Sequence, residues 1–74
     1  MKLNYVVVAK TEGIEYNIGC ADWEVALDHY EEYATIPEFH TVYIMDNYTG
    51  EVYAHRDIIE DEWGIEVREW KKKM

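Results

Sequence analysis

The apolar residues of this 74-residue chain change their spacing twice along the sequence. Near both ends they alternate with polar residues, as in strands with one face towards a core. In the middle they recur every three or four residues, as in a helix. Four strands are predicted in this way: 3–10, 14–19, 40–45 and 51–55. Gly13 and Gly50 lie between the strands of each pair, so we expect two hairpins that flank one helix.

The central helix has a start signal, a stop signal and one apolar stripe. Asp22 is a residue type that commonly caps a helix N-terminus, and Pro37 disfavours helical backbone in the residue before it. The stripe between them consists of Trp23, Ala26, Leu27, Tyr30, Tyr33 and Ala34. We expect this stripe to lie on the sheet.

The last segment fits two structures. Helical spacing is shared by Ile59, Trp63, Val67 and Trp70. Gly64 in the middle disfavours a helix by about 1 kcal/mol relative to Ala, and the β-branched residues that follow it suit a strand. We therefore favour an acidic turn or short helical piece over 57–63 and a strand over 64–70, with a helix over 64–70 as the alternative. Residues 71–74 are predicted to be a frayed basic tail.

Together these elements predict a single domain of the α+β class spanning residues 1–74. We expect a small, mainly antiparallel sheet in the order β-β-α-β-β plus a C-terminal strand or short helix, with one helix packed on one face. The strands predicted over 3–10 and 40–45 are partly apolar on both faces, so the second face should also be covered. We expect the C-terminal segment to cover it through Trp63 and Trp70, the alternative being another protein.

Cys20 is the one cysteine of the chain, so no disulfide can form within it. Small secreted domains usually depend on disulfides, and we therefore expect a cytoplasmic protein. At the end of a predicted strand, Cys20 is expected to be a small buried residue and not an activated thiol. No apolar run approaches the roughly 20 residues that span a bilayer, and no signal-peptide pattern opens the chain, so no membrane association is expected.

The formal net charge is −9, and its distribution is uneven. Fifteen of the 16 acidic residues but only one of the seven basic residues lie between residues 11 and 67. Such a chain would repel phosphates, which excludes direct binding of nucleic acid. Most of these carboxylates have no basic residue nearby in sequence, and their mutual repulsion disfavours a compact state. The acidity is either a solvated surface that aids solubility or a surface for a basic partner.

The second interpretation predicts two acidic patches. The helix acidic patch consists of Glu24, Asp28, Glu31 and Glu32. The C-terminal acidic patch consists of Asp57, Glu60, Asp61, Glu62, Trp63 and Glu66. We hypothesise that these residues bind a protein partner with a basic nucleic-acid-binding surface, where the carboxylates replace phosphates and the aromatic side chain provides an anchor. The chain would then be a non-catalytic inhibitor or nucleic-acid mimic.

Size, acidity and the α+β pattern resemble the general profile of small phage-encoded inhibitors of host defence or of DNA-handling enzymes. No stretch matches a motif of one particular family, so no residue roles follow from this resemblance. The alternative is a homo-oligomer, for example a homodimer, or an assembly subunit. It would use a sheet face predicted to carry Tyr43, Met45 and Tyr53.

Catalytic chemistry is the weakest of the three hypotheses. His29, His40 and His55 match no zinc-binding spacing, and no glycine-rich phosphate loop is present. A small metal or histidine enzyme is therefore a distant third candidate. We predict no metal, no cofactor and no enzymatic activity.

Overall fold

The computed structural model describes residues 2–72 and contains one helix and five strands. In chain order these are β1 (Tyr5–Thr11), β2 (Ile14–Cys20), α1 (Trp23–Ala34), β3 (Thr41–Asp46), β4 (Val52–Asp61) and β5 (Gly64–Lys71). The strands form one antiparallel sheet in the order β2-β1-β3-β4-β5. The α+β class, with a helix packed on one face of a mainly antiparallel sheet, is confirmed.

The core lies between α1 and the middle of the sheet. Ala26 and Tyr30 of α1 are completely buried, and Trp23, Leu27 and Tyr33 pack against the same cluster. The sheet contributes Val7, Ala9, Cys20, Val42, Ile44 and Ala54, with Phe39 from the loop after the helix. The apolar stripe predicted for the helix therefore packs as expected, because side chains three and four residues apart share one helix face.

A β-bulge in β4 changes which side chains face the helix. Ile44 pairs with Ala54, but the next residue, Met45, pairs with Val52. Tyr53 is thus an extra residue without a partner on β3, and the alternation of faces shifts at this point. Val52 consequently shares a face with Met45, whereas strict alternation along the strand would place it on the same face as Ala54.

Tyr53 lies on the helix side of the sheet. Its ring centroid is 5.9 Å from that of Tyr5 and 6.1 Å from that of Trp23 in α1. The prediction that Tyr43, Met45 and Tyr53 share one exposed face is therefore wrong for Tyr53. The prediction assumed that side chains alternate strictly between the two faces along each strand, and the bulge breaks this alternation in β4 by inserting one extra residue.

The fourth strand is longer than predicted, and it forms a hairpin with β5. β4 continues to Asp61, so the acidic turn or helical piece expected over 57–63 is wrong for 57–61, and only residues 62–63 form a turn. The pairing of β4 with β3 ends at Asp57, which lies opposite Thr41. Beyond that point β-branched Ile58 and Ile59 pair with β5 alone, and this pairing extends β4.

The favoured strand over 64–70 is present and includes Lys71. The backbone N–H of Lys72 donates to the carbonyl oxygen of Tyr53 at 2.8 Å, so pairing with β4 continues into the segment predicted to be a frayed tail. Lys73 and Met74, the rest of that tail, lie outside the described residues.

The sheet face opposite α1 is not covered by any helix or strand among residues 2–72. We expected the C-terminal segment to cover it through Trp63 and Trp70, but β5 adds to the edge of the sheet instead. Trp63 is 88% exposed and covers nothing, whereas the ring of Trp70 does lie on this face, beside His55. Val8 on this face is only 1% exposed because side chains from the neighbouring strands shield it. The apolar character of both faces in β1 therefore reflects its central place in the sheet and not a second covering layer.

Candidate protein-binding surfaces

The helix acidic patch lies on the outer face of α1. Glu24, Asp28 and Glu32 are spaced four residues apart, which places them in a nearly straight row that rises about 6 Å per step. All members of the patch are exposed, and α1 contains no Lys or Arg. Glu31 is 3.9 Å from the Nζ atom of Lys71. Within residues 2–72 the three residues of the row form no ion pair.

Two polar contacts from β4 and β5 add to the apolar packing that holds α1 in position. The hydroxyl of buried Tyr30 donates to Oε2 of Glu69 in β5 at 2.6 Å. Burial, and then this hydrogen bond, raises the pKa of Tyr30 far above its ordinary value, so the phenol stays protonated. The guanidinium of Arg56 in β4 donates to the carbonyl oxygen of Ala34 at the end of the helix. The helix that carries the acidic row is therefore bonded to β4 and β5 in addition to its packing on β1, β2 and β3.

The C-terminal acidic patch is divided by the strands that carry it. Asp57 and Glu66 lie on the sheet face opposite the helix. Asp57 shares this face with His55, two residues earlier in β4, and Glu66 shares it with Arg68, two residues later in β5. Asp57 accepts a hydrogen bond from Thr41 at 2.9 Å and is 3.6 Å from Nδ1 of His55. Glu66 is 3.2 Å from Nε of Arg68. These two carboxylates thus have local partners, and neither shares a surface with the helix acidic patch.

The remaining members of this patch form the tip of the β4–β5 hairpin: Glu60, Asp61, Glu62 and Trp63. Trp63 is 88% exposed, and its backbone N–H donates to the Asp61 carboxylate at 2.8 Å. Gly64 closes the turn with a φ of 130°, a conformation that suits glycine. The ten residues predicted as partner-binding therefore occupy three surfaces: the helix, the hairpin tip and the opposite sheet face.

The open sheet face carries a row of aromatic rings across three strands. The centroid of Tyr43 is 5.9 Å from that of His55, which is 6.1 Å from that of Trp70, and the planes are nearly parallel. Lys10 places its Nζ atom 5.5 Å from the Tyr43 centroid. Tyr43 and Met45 are half-buried on this face. The sequence predicted that Trp70 lies over this face, but it predicted neither the stacking of Trp70 on His55 nor the place of Lys10, because cross-strand register has no local sequence signal.

Neither Cys20 nor the three histidines lie in an environment that would activate them for catalysis. Cys20 is 2% exposed, and burial raises the pKa of its thiol. His29 lies beside Tyr33, His40 contacts the hydroxyl of Thr41, and His55 lies within the aromatic row. No three His, Cys, Asp or Glu side chains are grouped as metal ligands within the part of the chain that the structure describes. A surface pocket of about 360 Å³ is lined by Lys10, Thr11, Gly13, Ile14, Glu15 and His40.

Comparison of the chain with protein-family models, curated proteins and solved structures gives no match. None of the helices within residues 2–72 has both the length and the apolar character needed to cross a membrane. The surfaces described above are therefore the basis for any functional assignment.

Proposed function

We propose that this chain is a non-catalytic protein-binding module whose helix acidic patch docks on the basic, nucleic-acid-binding surface of a partner protein. Docking would exclude nucleic acid and so inhibit the partner. The observation that carries this proposal is the exposed row of Glu24, Asp28 and Glu32 on a helix without Lys or Arg.

Electrostatics makes a basic protein surface the matching partner. The row has no ion pair within residues 2–72, and the whole chain has a net charge of −9. Such a field accelerates encounter with a basic surface and repels both nucleic acid and anionic membranes. Because salt screens exposed charges, binding is expected to weaken as ionic strength rises.

The position of α1 supports the same proposal. Tyr30 and the stripe around it bury one side of the helix, while Glu69 and Arg56 bind it from β5 and β4. The acidic side chains project from a backbone that is already ordered, so docking requires little loss of backbone entropy. A disordered acidic segment would lose far more on binding.

The test is affinity capture from a cell lysate with the wild-type chain and with a variant that combines Asp28→Lys and Glu32→Lys. We expect the wild-type chain to retain basic nucleic-acid-binding proteins at low salt and to release them at high salt. The variant should lose them because two carboxylates of the row are reversed. A purified captured protein should bind either nucleic acid or this chain, but not both together.

The matched control combines Glu12→Lys and Glu38→Lys, which makes the same change in net charge at exposed sites away from the helix. It should retain the captured proteins. The proposal is wrong if the helix variant captures the same proteins as wild type, or if a captured protein holds nucleic acid and this chain at once.

A further inference from the structure

We infer that β5 is a dimerisation strand, which pairs edge to edge with β5 of a second copy of this chain. The strand is the outer strand of the sheet, and all eight of its residues are exposed. Four large apolar side chains lie within residues 63–70: Trp63, Ile65, Val67 and Trp70, which are 88%, 70%, 49% and 46% exposed. A regular outer strand about 27 Å long with such side chains is a template for another strand.

The backbone of β5 directs unpaired N–H and C=O groups away from β4, towards the open edge of the sheet. Lys72 donates its N–H to Tyr53 in β4, so the even-numbered residues of β5 direct their backbone groups towards β4. The odd-numbered residues Ile65, Val67 and Glu69 therefore direct their N–H and C=O groups outward. A second strand can form a regular ladder with these groups without disturbing the hairpin.

Charge selects the register of that ladder. Glu66 and Arg68 flank Val67 and lie on the same face of the sheet. In an antiparallel pair centred on Val67, Glu66 of each copy lies directly opposite Arg68 of the other. Centring the pair on Glu66 or on Arg68 would instead oppose like charges, which is destabilising. The sequence of β5 is therefore self-complementary in one register.

The ends of the hairpin are complementary in the same register. Glu62 precedes β5, and Lys72 follows it. Antiparallel pairing brings the acidic tip of one copy beside the basic end of the other. Trp70 then lies opposite Gly64, where the missing side chain leaves room for the indole ring. The ion pairs and the aromatic contact both favour a second copy over an unrelated strand.

The other edge of the sheet does not have these features. β2 carries one charged residue, Glu15, so it has no opposite charge with which to set a register. Self-pairing is therefore assigned to β5 alone.

The first test measures dimer dissociation by sedimentation from micromolar to millimolar concentration. Glu66→Arg alone, and Arg68→Glu alone, should each raise the dissociation constant by about tenfold or more, because each opposes like charges across the pair. The double variant should restore the wild-type value, since it reverses both partners. Glu12→Arg, with the same charge change in the exposed turn between β1 and β2, should leave the dissociation constant unchanged.

The second test uses amide hydrogen exchange. The N–H of Arg68 points towards β4 and should be protected at every concentration, whereas those of Val67 and Glu69 should become protected only as the dimer forms. Val67→Pro should abolish the dimer and keep the hairpin, because it removes an N–H that does not bond to β4.

The inference is overturned by a chain that stays monomeric at millimolar concentration. It is equally overturned by a dimer that tolerates Val67→Pro and both single charge reversals, since that dimer would use another surface.

Discussion

Tyr30 links the helix to β5, the outer strand of the sheet. Its ring is completely buried beneath α1, and its hydroxyl binds the carboxylate of Glu69 on exposed β5. The pKa of Tyr30 is raised by burial first and by Glu69 second, so the hydroxyl remains a donor even at an alkaline pH where an ordinary tyrosine ionises. The periodicity of the sequence places Tyr30 in the apolar stripe, but its polar contact depends on a strand 39 residues away.

Tyr30→Phe tests this hydrogen bond. The variant keeps the ring in the core and loses one hydrogen bond to a charged group. The free energy of unfolding should therefore fall by about 1 kcal/mol. This is less than a buried bond to a charged group contributes, because Glu69 is exposed and solvent screens it. Urea denaturation measures the change. Tyr48→Phe removes a hydroxyl from a 66% exposed residue and should have no effect. Equal stabilities of Tyr30→Phe and wild type would contradict the argument.

The bulge in β4 is the decisive feature at the level of the element. It moves Tyr53 to the helix side, where the hydroxyl donates to the Asp46 carboxylate at 3.0 Å and the ring contacts Tyr5 and Trp23. The hydrogen bond to Asp46 raises the pKa of Tyr53. Tyr43 stays on the open face beside His55. Two tyrosines that alternation assigns to one surface therefore have different neighbours.

Replacement of each tyrosine by alanine separates these two environments. Tyr53→Ala should shift the indole N–H resonance of Trp23, and Tyr43→Ala should leave it in place because Tyr43 lies on the opposite face. Loss of the half-buried ring of Tyr53 should also lower the free energy of unfolding by about 2 kcal/mol. A Trp23 resonance that responds equally to both substitutions would mean that Tyr53 is not on the helix side.

At the scale of the whole molecule, net charge opposes compactness. Few of the carboxylates form ion pairs within residues 2–72, and the pairs that exist are exposed and contribute little. In the proposed dimer, rotation about an axis normal to the sheet keeps both copies of α1 on the same side. The two helix acidic patches would then form one larger anionic surface.

Salt should therefore stabilise this protein. Raising NaCl from low concentration to about 0.5 M screens the repulsion and should raise the Tm by a few degrees. The variant that combines Asp28→Lys and Glu32→Lys changes the charge by two at each site, which takes the net charge from −9 to −5, and its Tm should respond less. A Tm that falls with added salt would show that local ion pairs outweigh the net repulsion.

The sequence by itself determined the helix with its apolar stripe, the turns at Gly13 and Gly50, and the strand that follows Gly64. These features depend on the spacing of apolar residues and on the backbone preferences of glycine, and both are properties of residues close together in the sequence. Only the tertiary structure decided that Tyr53 faces the helix, that the acidic residues occupy three surfaces, and that β5 is an outer strand. Strand order, register and bulges depend on pairing between residues that are distant in the sequence, and the local spacing of apolar residues does not predict that pairing.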